Sequence, residues 1–216
     1  MPLRLPAFLT GKQKVVKYHL NGNISEIYNI NSKTGQKSGV YYSFDENGFK
    51  LVCAKYKDNK LHGKHKEFTK GFEYSLKAKS KYKLGQLQNK KIYNPAYGKI
   101  EKEEYYTNGV MTKLDEYDDL AYSTLYGIEY ISEFSMNGKL MRKSKYFSGS
   151  FSSLWYQENY DDKGRLHGKC TYHGDDGNYI YKTYEHGELM HDTTNDSKTK
   201  PVKQKDILRL VGGKSK

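Results

Sequence analysis

The feature that most constrains this chain is a series of two-residue turn signals that recurs along most of its length. The signals are Asn21-Gly22, Asn47-Gly48, Lys70-Gly71, Asn108-Gly109, Asn137-Gly138, Lys163-Gly164 and His186-Gly187. An Asn-Gly pair between strand-like segments is the strongest short-range hairpin signal, because both residues accept a positive φ. The spacing is 23 to 29 residues, except for one interval of 38 that holds the segment 94–98. We interpret that segment as an extra, longer loop, and we predict a fold built from repeated hairpins.

Between the turn signals, apolar and polar residues alternate with a period of two, which is typical of β-strands. Val16, Tyr18 and Leu20, for example, fall on one strand face. No segment within residues 12–192 sustains the 3.6-residue period of an amphipathic helix. Apolar residues make up 36% of the chain, and 22 of them are Tyr, so large aromatic faces must cover a thin sheet. We therefore predict an all-β fold and not the thick core of an α/β enzyme.

A longer motif repeats in phase with the turns. The segment Tyr56-Lys57-Asp58-Asn59-Lys60-Leu61-His62-Gly63-Lys64 returns as Tyr160-Asp161-Asp162-Lys163-Gly164-Arg165-Leu166-His167-Gly168-Lys169. These segments resemble the MORN repeat, in the short form found in bacterial and large-virus proteins and in YwqK-type antitoxins. The resemblance covers about residues 12–192 and implies an elongated antiparallel β-meander of stacked hairpins. It implies structural roles for Tyr56, Leu61, His62, Gly63, Tyr160, Leu166, His167 and Gly168.

The two ends of the chain differ from the repeats. Residues 1–11 read as an N-terminal arm, residues 12–192 as the repeat domain, and residues 193–216 as a basic tail. Within the tail, Pro201 and a short apolar stripe predict a short C-terminal helix over 201–211. Such a helix is marginal alone in water, so we expect its stripe to bind a partner. The stripe contains Ile207, Leu208 and Leu210.

Charge is distributed unevenly along this basic chain, whose net charge is +12. Residues 50–102 carry an excess of 11 positive charges, whereas residues 103–162 carry an excess of 6 negative charges. The predicted basic zone comprises Lys64, Lys66, Lys77, Lys79, Lys81, Lys83, Lys90 and Lys91. Four of these lysines alternate along one segment, 77–83, and so favour a charged strand face. Such a face can bind phosphates, anionic lipid head groups or an acidic protein surface, although Lys also simply prevents strand edges from pairing.

Residue types used in catalysis are present, but without the spacing that catalysis needs. His62 and His167 occupy the same repeat position, so we interpret them as turn or packing residues and not as metal ligands. Cys53 and Cys170 lie in strand-like segments and are interpreted as buried packing residues. The acidic runs lack the Gly-punctuated spacing of a calcium loop, and no phosphate-binding Gly-rich loop or nucleophile elbow is present. We expect no enzymatic activity and no cofactor or metal.

Together these features predict a non-enzymatic repeat scaffold that mediates protein–protein interactions. One form of this hypothesis is a structural component of a large DNA virus, either virion-associated or a minor capsid protein within an oligomeric assembly. One alternative is an antitoxin or immunity protein that binds a toxin, and another is a peripheral binder of anionic membrane lipids. Sequence-specific DNA binding is not expected, because Lys outnumbers Arg 33 to 4 and Arg is the preferred base reader.

The same sequence carries an expectation about location. The mean hydropathy is −0.94, and no run approaches 18 consecutive apolar residues. The segment 1–9 is too short, and too interrupted by Pro, for a signal peptide. We therefore expect a cytoplasmic protein, in the host cytoplasm or the virion if it is viral, that is neither secreted nor transmembrane.

Overall fold

The structure, a computed structural model, describes residues 11–70, 74–117, 128–147 and 153–194. All regular elements in these ranges are β-strands, which confirms the all-β prediction. The first nine strands are β1 (Lys12–Tyr18), β2 (Ile24–Asn31), β3 (Lys37–Phe44), β4 (Lys50–Lys57), β5 (Lys60–Leu61), β6 (Gly63–Lys70), β7 (Tyr74–Lys83), β8 (Gln86–Tyr93) and β9 (Ile100–Thr107). The remaining strands are β10 (Val110–Tyr117), β11 (Ile128–Phe134), β12 (Leu140–Tyr146), β13 (Leu154–Asn159), β14 (Gly168–His173), β15 (Tyr179–Glu185) and β16 (Glu188–Asp192).

The strands form one antiparallel meander in which strand order follows chain order. The short strand β5 is the exception, because it pairs only with β4 and is continued by β6. The chain divides into two compact units between Gly109 and Val110. Strands β1–β9 belong to the first unit, and β10–β16 belong to the second unit.

Two kinds of turn connect the strands, and the sequence signals mark both. In the two-residue turns, both residues have positive φ, as in Leu84-Gly85 with φ values of 49° and 88°. In the five-residue turns, a Gly at the fourth position donates its N–H to the first residue, as Gly48 does to Asp45 at 3.0 Å. Because Asn, Asp and Gly tolerate positive φ best, the sequence signals predict these turns for a physical reason.

The 38-residue interval has a different cause from the one the sequence suggested. The loop 94–99 exists, but the loop 31–36 is closed by the same hydrogen bonds, so neither is an extra excursion. Within the first unit, Lys70 is the last residue of β6 and lies at one end of the strands, whereas Asn108-Gly109 follows β9 at the opposite end of the strands. The interval is long because the turn signals change from one end of the strands to the other.

The two copies of the longer motif adopt the same local structure. Tyr56 pairs with Leu61, and Tyr160 pairs with Leu166, across the turn that each copy contains. Each motif Gly has a positive φ, +86° at Gly63 and +78° at Gly168. A Tyr of the next strand lies opposite each of them, as shown by the pairs Gly63–Tyr82 and Gly168–Tyr184. An aromatic ring opposite a strand glycine replaces the packing that the glycine lacks.

The motif also receives the turn of the following hairpin. The N–H of Gly85 donates to the carbonyl of Leu61 at 2.7 Å, and the N–H of Gly187 donates to that of Leu166 at 2.8 Å. The histidines add a second contact. His62 Nδ1 accepts from the N–H of Leu84 at 3.3 Å, and His167 Nδ1 accepts from the N–H of His186 at 3.4 Å. These hydrogen bonds therefore join the turns at 84–85 and 186–187 to the motif copies that precede them.

The first unit repeats the motif once more, at a place the sequence analysis missed. Gly39 has a φ of +96° and pairs with Tyr56, as Gly63 pairs with Tyr82. The N–H of Asn59 donates to the carbonyl of Lys37 at 3.0 Å, which matches the turn contact to Leu61. In this copy Lys stands where the other copies have Leu, and so the Leu-His-Gly signature is absent.

The core of the sheet is thin. Ala54, Ala78 and Cys170 are buried, and Cys53 is half-buried. The second unit also buries Tyr146 and Leu154, at 5% and 7% exposed. Small residues at buried positions let the larger side chains of neighbouring strands close over them.

Tyrosines line one face of the first unit, which we call the tyrosine face and define by Tyr28, Tyr41, Tyr56, Tyr82 and Tyr106. Burial raises the pKa of Tyr41, Tyr56 and Tyr82. Burial, together with a hydrogen bond that the phenol donates to Glu104 at 2.8 Å, raises the pKa of Tyr106 to about 12.

A lysine also lies on the tyrosine face. The ammonium of Lys37 is 4.5 Å from the ring centroid of Tyr28, 4.9 Å from that of Tyr41 and 5.5 Å from that of Tyr56. Cation–π contacts of this kind hold a charged group over apolar rings. The ammonium of Lys37 thus already has aromatic partners within the unit.

Several predicted features fall outside the described residues. These are residues 1–10 of the predicted arm and the predicted helix over 201–211, with Ile207, Leu208 and Leu210. Within the ranges that are described, no helix long and apolar enough to cross a membrane occurs.

Candidate functional site

The lysine-rich strand β7 presents Lys79 and Lys81 as the sequence alternation predicts. Lys79 and Lys81 are exposed, whereas Ala78 and Ser80 between them are buried at 2% and 3% exposure. Because successive side chains of a strand point to opposite faces, these lysines lie on the face opposite the tyrosines. Lys77 and Lys83 are exposed as well.

Strand pairing brings further lysines to the same face. Lys66 on β6, Lys79 on β7 and Lys91 on β8 stand directly opposite one another across the three strands. Lys64 likewise stands opposite Lys81. Neighbouring strands are roughly 4.8 Å apart, and alternate residues of one strand are about 6.8 Å apart, so these charges form a dense lattice. The surface, which we call the lysine face, is defined by Lys55, Lys64, Lys66, Lys79, Lys81 and Lys91.

A groove of about 460 Å³ opens on the lysine face beside Gly63. Besides Gly63, the residues that line it are Lys55, Lys64, Lys79, Ser80, Lys81, Asn89 and Lys91. The positive φ of Gly63 bends the chain where β5 passes into β6. A side-chain Cβ at this position would lie 3.9 Å from Lys55 Cδ, so the glycine is needed for its backbone conformation more than for space.

One end of the groove is neutralised by a carboxylate. Lys91 Nζ lies 2.8 Å from Glu103 Oε2, and Asn89 donates to Glu103 Oε1 at 3.1 Å. Glu103 is only 6% exposed, so this ion pair is held within the sheet surface. Among the described residues, no carboxylate lies within ion-pair distance of Lys55, Lys64, Lys79 or Lys81. The groove therefore carries four positively charged lysines that have no ion-pair partner among the described residues.

The structure assembles most of the predicted basic zone, but not all of it. Lys90 points to the tyrosine face, because it stands opposite Ser80 and Glu104. Lys77 is the extra residue of a β-bulge, since Glu67 pairs with Ala78 and Phe68 pairs with Leu76. Lys77 and Lys83 do not line the groove.

Three residues of the groove, Lys55, Ser80 and Asn89, were not among the predicted site residues. Lys55 reaches it because the bend at Gly63 moves β6 against β4, a pairing that sequence alternation alone does not reveal. Asn89 reaches it from the register of β7 with β8, which places it opposite Lys81. The only sequence signal of these two residues is that each falls in phase with a neighbouring lysine, Lys55 with Lys57 and Asn89 with Lys91.

The second unit has a groove at the equivalent repeat position, with a volume of about 550 Å³. It lies beside Gly168. Asn159 takes the place of Lys55, because its backbone carbonyl accepts a hydrogen bond from the N–H of His167, as the carbonyl of Lys55 does from the N–H of His62. Here the charges are paired: Arg142 Nη1 lies 3.0 Å from Glu133 Oε2, and Arg142 Nε donates to Asn159 Oδ1 at 3.0 Å. The repeat backbone thus forms a groove in both units, but only in the first unit is every charged residue that lines the groove a lysine.

A second polar cluster surrounds Asp161 in the turn after β13. His186 Nδ1 lies 2.9 Å from Asp161 Oδ2, and Arg165 Nη2 lies 2.8 Å from the same oxygen. The His186 contact, followed by the backbone and side-chain hydrogen bonds of Arg165, holds the pKa of Asp161 well below its usual range. The ring of His186 stacks on His167 with centroids 4.9 Å apart. Over the described part of the chain, no group of three His, Cys, Asp or Glu residues is arranged to hold a metal ion.

Comparisons with known proteins add little to this geometry. No protein-family model matches the chain, and no curated protein matches it. Among solved structures, the chain is similar to the pore form of the Tc holotoxin of Photorhabdus luminescens, with 11% identity. That alignment covers 81% of this chain but only 13% of the toxin chain, at a TM-score of 0.18. A similarity of this size supports no conclusion about fold or function.

Proposed function

We propose that this protein is a non-enzymatic repeat scaffold of the MORN type that holds an anionic partner against the lysine face of its first unit. The observation that carries the proposal is the groove with four lysines that lack a described counter-ion. Like charges placed directly opposite on neighbouring strands destabilise a sheet. The lysine face contains three such pairs, Lys64–Lys81, Lys66–Lys79 and Lys79–Lys91, and an anionic partner offsets their repulsion.

The scaffold part of the proposal is supported by how the hairpins are joined. Several turns are hydrogen-bonded to a turn about 20 to 25 residues away along the chain, as with Asn21 and the carbonyl of Glu46 at 2.7 Å. A fold stabilised by neighbour contacts presents a broad, regular surface without needing a deep core. Such a surface suits the binding of other macromolecules.

A matched pair of charge-reversal variants tests this function. The binding variant changes Lys64, Lys66, Lys79 and Lys81 to Glu. The control variant makes the same net charge change at exposed lysines outside the groove, namely Lys33, Lys57, Lys139 and Lys163. Both full-length variants and the unchanged protein are used as bait in extract of the source cells, and bound material is identified by mass spectrometry.

We expect a partner that the unchanged protein and the control retain and that the binding variant loses. Salt of about 0.5 M should also release it, because exposed charges interact only within roughly a Debye length. Equal retention by all three proteins would contradict the proposal. The identity of the partner separates its forms: capsid proteins indicate the virion component, a toxin indicates the antitoxin, and binding to anionic vesicles indicates the lipid binder.

A further inference from the structure

The groove beside Gly63 has a more specific chemistry than the lysine face as a whole. We propose that it binds a compact anion that carries two or more phosphate groups in a chain or on a small ring. This inference rests on the proposed function, because it names the chemical group that the lysine face holds.

Charge density is the first argument. Four ammonium groups, those of Lys55, Lys64, Lys79 and Lys81, border one groove without a described carboxylate partner. A single carboxylate brings one negative charge, whereas each terminal phosphate brings about 1.5 to 2 and offers three acceptor oxygens. A linked pair or triplet of phosphates is therefore the smallest ligand that satisfies all four lysines with charge-assisted hydrogen bonds.

Size is the second argument. The groove volume of about 460 Å³ lies within the range of small-molecule sites, which is roughly 300 to 1,000 Å³. It has room for a phosphorylated head group but not for a folded domain. The lysines are separated by strand spacings of roughly 4.8 and 6.8 Å, so a phosphate chain a few ångströms long can touch several of them at once.

The opposite placement of the aromatic rings disfavours a nucleic-acid strand. Proteins that bind single strands combine basic grooves with rings on which the bases stack. Here Tyr41, Tyr56, Tyr82 and Tyr106 lie on the tyrosine face, away from the lysines, and each is partly buried. On the lysine face, Tyr105 stands opposite Asn89 but is half-buried, so it offers little of the stacking surface that a strand of bases needs.

A second copy of the chain would bring Asp115, Glu133 or Glu158 to the groove only by breaking contacts that these carboxylates already make. Asp115 pairs with Lys113 at 2.9 Å, and Glu133 pairs with Arg142 at 3.0 Å. Glu158 accepts hydrogen bonds from the phenols of Tyr160 and Tyr172. Using these groups in an intermolecular contact would break bonds that they already make.

The ligand should also stabilise the fold. An anion between Lys64 and Lys81 relieves the repulsion of that cross-strand pair, and any ligand that binds only the folded chain raises its stability. Thermal unfolding therefore reports binding without any assumption about activity.

The test uses sodium tripolyphosphate as the probe and the full-length chain, with ionic strength held constant by added salt. The groove variant is Lys79→Gln with Lys81→Gln. The control variant is Lys77→Gln with Lys83→Gln, which removes the same charge from the same strand outside the groove. Isothermal titration calorimetry gives the affinity, and a thermal scan gives the shift in Tm.

We expect tripolyphosphate to raise the Tm of the unchanged protein and of the control. The groove variant should bind at least about tenfold more weakly, since it lacks two charge-assisted contacts, while the control should change by less than about twofold. Orthophosphate at the same ionic strength should bind much more weakly than tripolyphosphate. Equal weakening in both variants, or equal binding of the two anions, would overturn the proposal.

Two further arms identify the source of the phosphates and separate this inference from the proposed function. Vesicles that contain phosphatidylinositol bisphosphate are compared with phosphatidylserine vesicles of equal surface charge, and groove-dependent preference for the former supports a lipid-linked phosphate. Groove-dependent binding of tripolyphosphate alone supports a soluble one. If neither probe depends on the groove but the macromolecular partner is still lost in the four-lysine Glu variant, the inference fails and the proposed function stands.

Discussion

The two units of this molecule use the same repeat structure but place different charges beside their grooves. In the second unit, cross-strand neighbours of opposite charge face each other, as in Glu133–Arg142 and Lys143–Glu158. In the first unit, Lys79 faces Lys66 on one side and Lys91 on the other. The difference teaches that the lysine face is not a requirement of the fold, since the second unit forms an equivalent groove without it.

The shared features lie in the backbone. Both units place a positive-φ Gly opposite a Tyr, and both join successive turns through the motif Leu and His. The sequence must keep these residues for the sheet to form, whereas the charged positions between them are free to change. This separation is why we assign stability to the motif and binding to the lysines.

The largest expected effect on stability comes from replacing the motif glycine that each unit contains. Gly63→Ala and Gly168→Ala should each lower the free energy of unfolding by roughly 1–3 kcal/mol, because a non-glycine residue is strained at positive φ. Urea unfolding measures both. Gly63→Asn serves as the control and should lose less, since Asn tolerates this conformation. A large loss in one unit with none in the other would mean that the two copies are not structurally equivalent.

Replacing Asp161, in the second unit, should lower the free energy of unfolding by less than the glycine variants do, and only at moderate pH. The contacts of Asp161 lower its folded-state pKa, so its stabilising effect is present above the unfolded pKa of about 3.9. That effect is lost as the pH falls through the lower folded value. Asp161→Asn should therefore destabilise the protein at pH 6 and matter progressively less in acid.

The control for this experiment is Asp58→Asn, in the turn that the first unit's motif contains. Asp58 has a φ of 50°, which Asn accepts, so its replacement should change stability little at any pH. Unfolding in urea at several pH values between 2 and 7 compares the two variants. A constant destabilisation by Asp161→Asn down to pH 2 would show that its ion pairs are not the cause.

The next effect concerns the motif histidines. His62→Ala and His167→Ala each remove one acceptor for a turn N–H, and each should cost about 0.5–1.5 kcal/mol. The loss at His167 should be the larger of the two, because its ring also stacks on His186. Chemical denaturation gives both values. An unchanged stability in both variants would remove the histidines from the account of how hairpins are joined.

These comparisons also show what the sequence could predict and what it could not. Turn positions and strand faces follow from local rules, so the exposed lysines of β7 and the paired motif copies were predictable. The placement of Lys90 and the arrival of Lys55 in the groove depend on bulges and on the bend at Gly63, which shift the strand register. Such shifts arise from contacts between strands and leave only a faint trace in the local sequence.

The missed copy at Gly39 has a chemical explanation. Lys37 replaces the Leu of the motif and lies over three Tyr rings, so a cation–π contact takes the place of apolar packing. A search for Leu-His-Gly cannot find this copy, although the positive φ of Gly39 and its pairing with Tyr56 reveal it in the structure.

The central claim, that the lysines placed opposite one another on β6 and β7 repel each other, is tested most directly by Lys79→Glu. The new carboxylate stands opposite both Lys66 and Lys91, so the free energy of unfolding should rise by roughly 0.5–1 kcal/mol at low salt. The gain should shrink in 1 M salt, where the Debye length is about 3 Å. Lys83→Glu, outside the groove on the same strand, should change stability less, and Arg142→Glu in the second unit should lower it because Glu133 lies opposite. A Lys79→Glu protein that is no more stable than the unchanged chain at low salt would contradict the account.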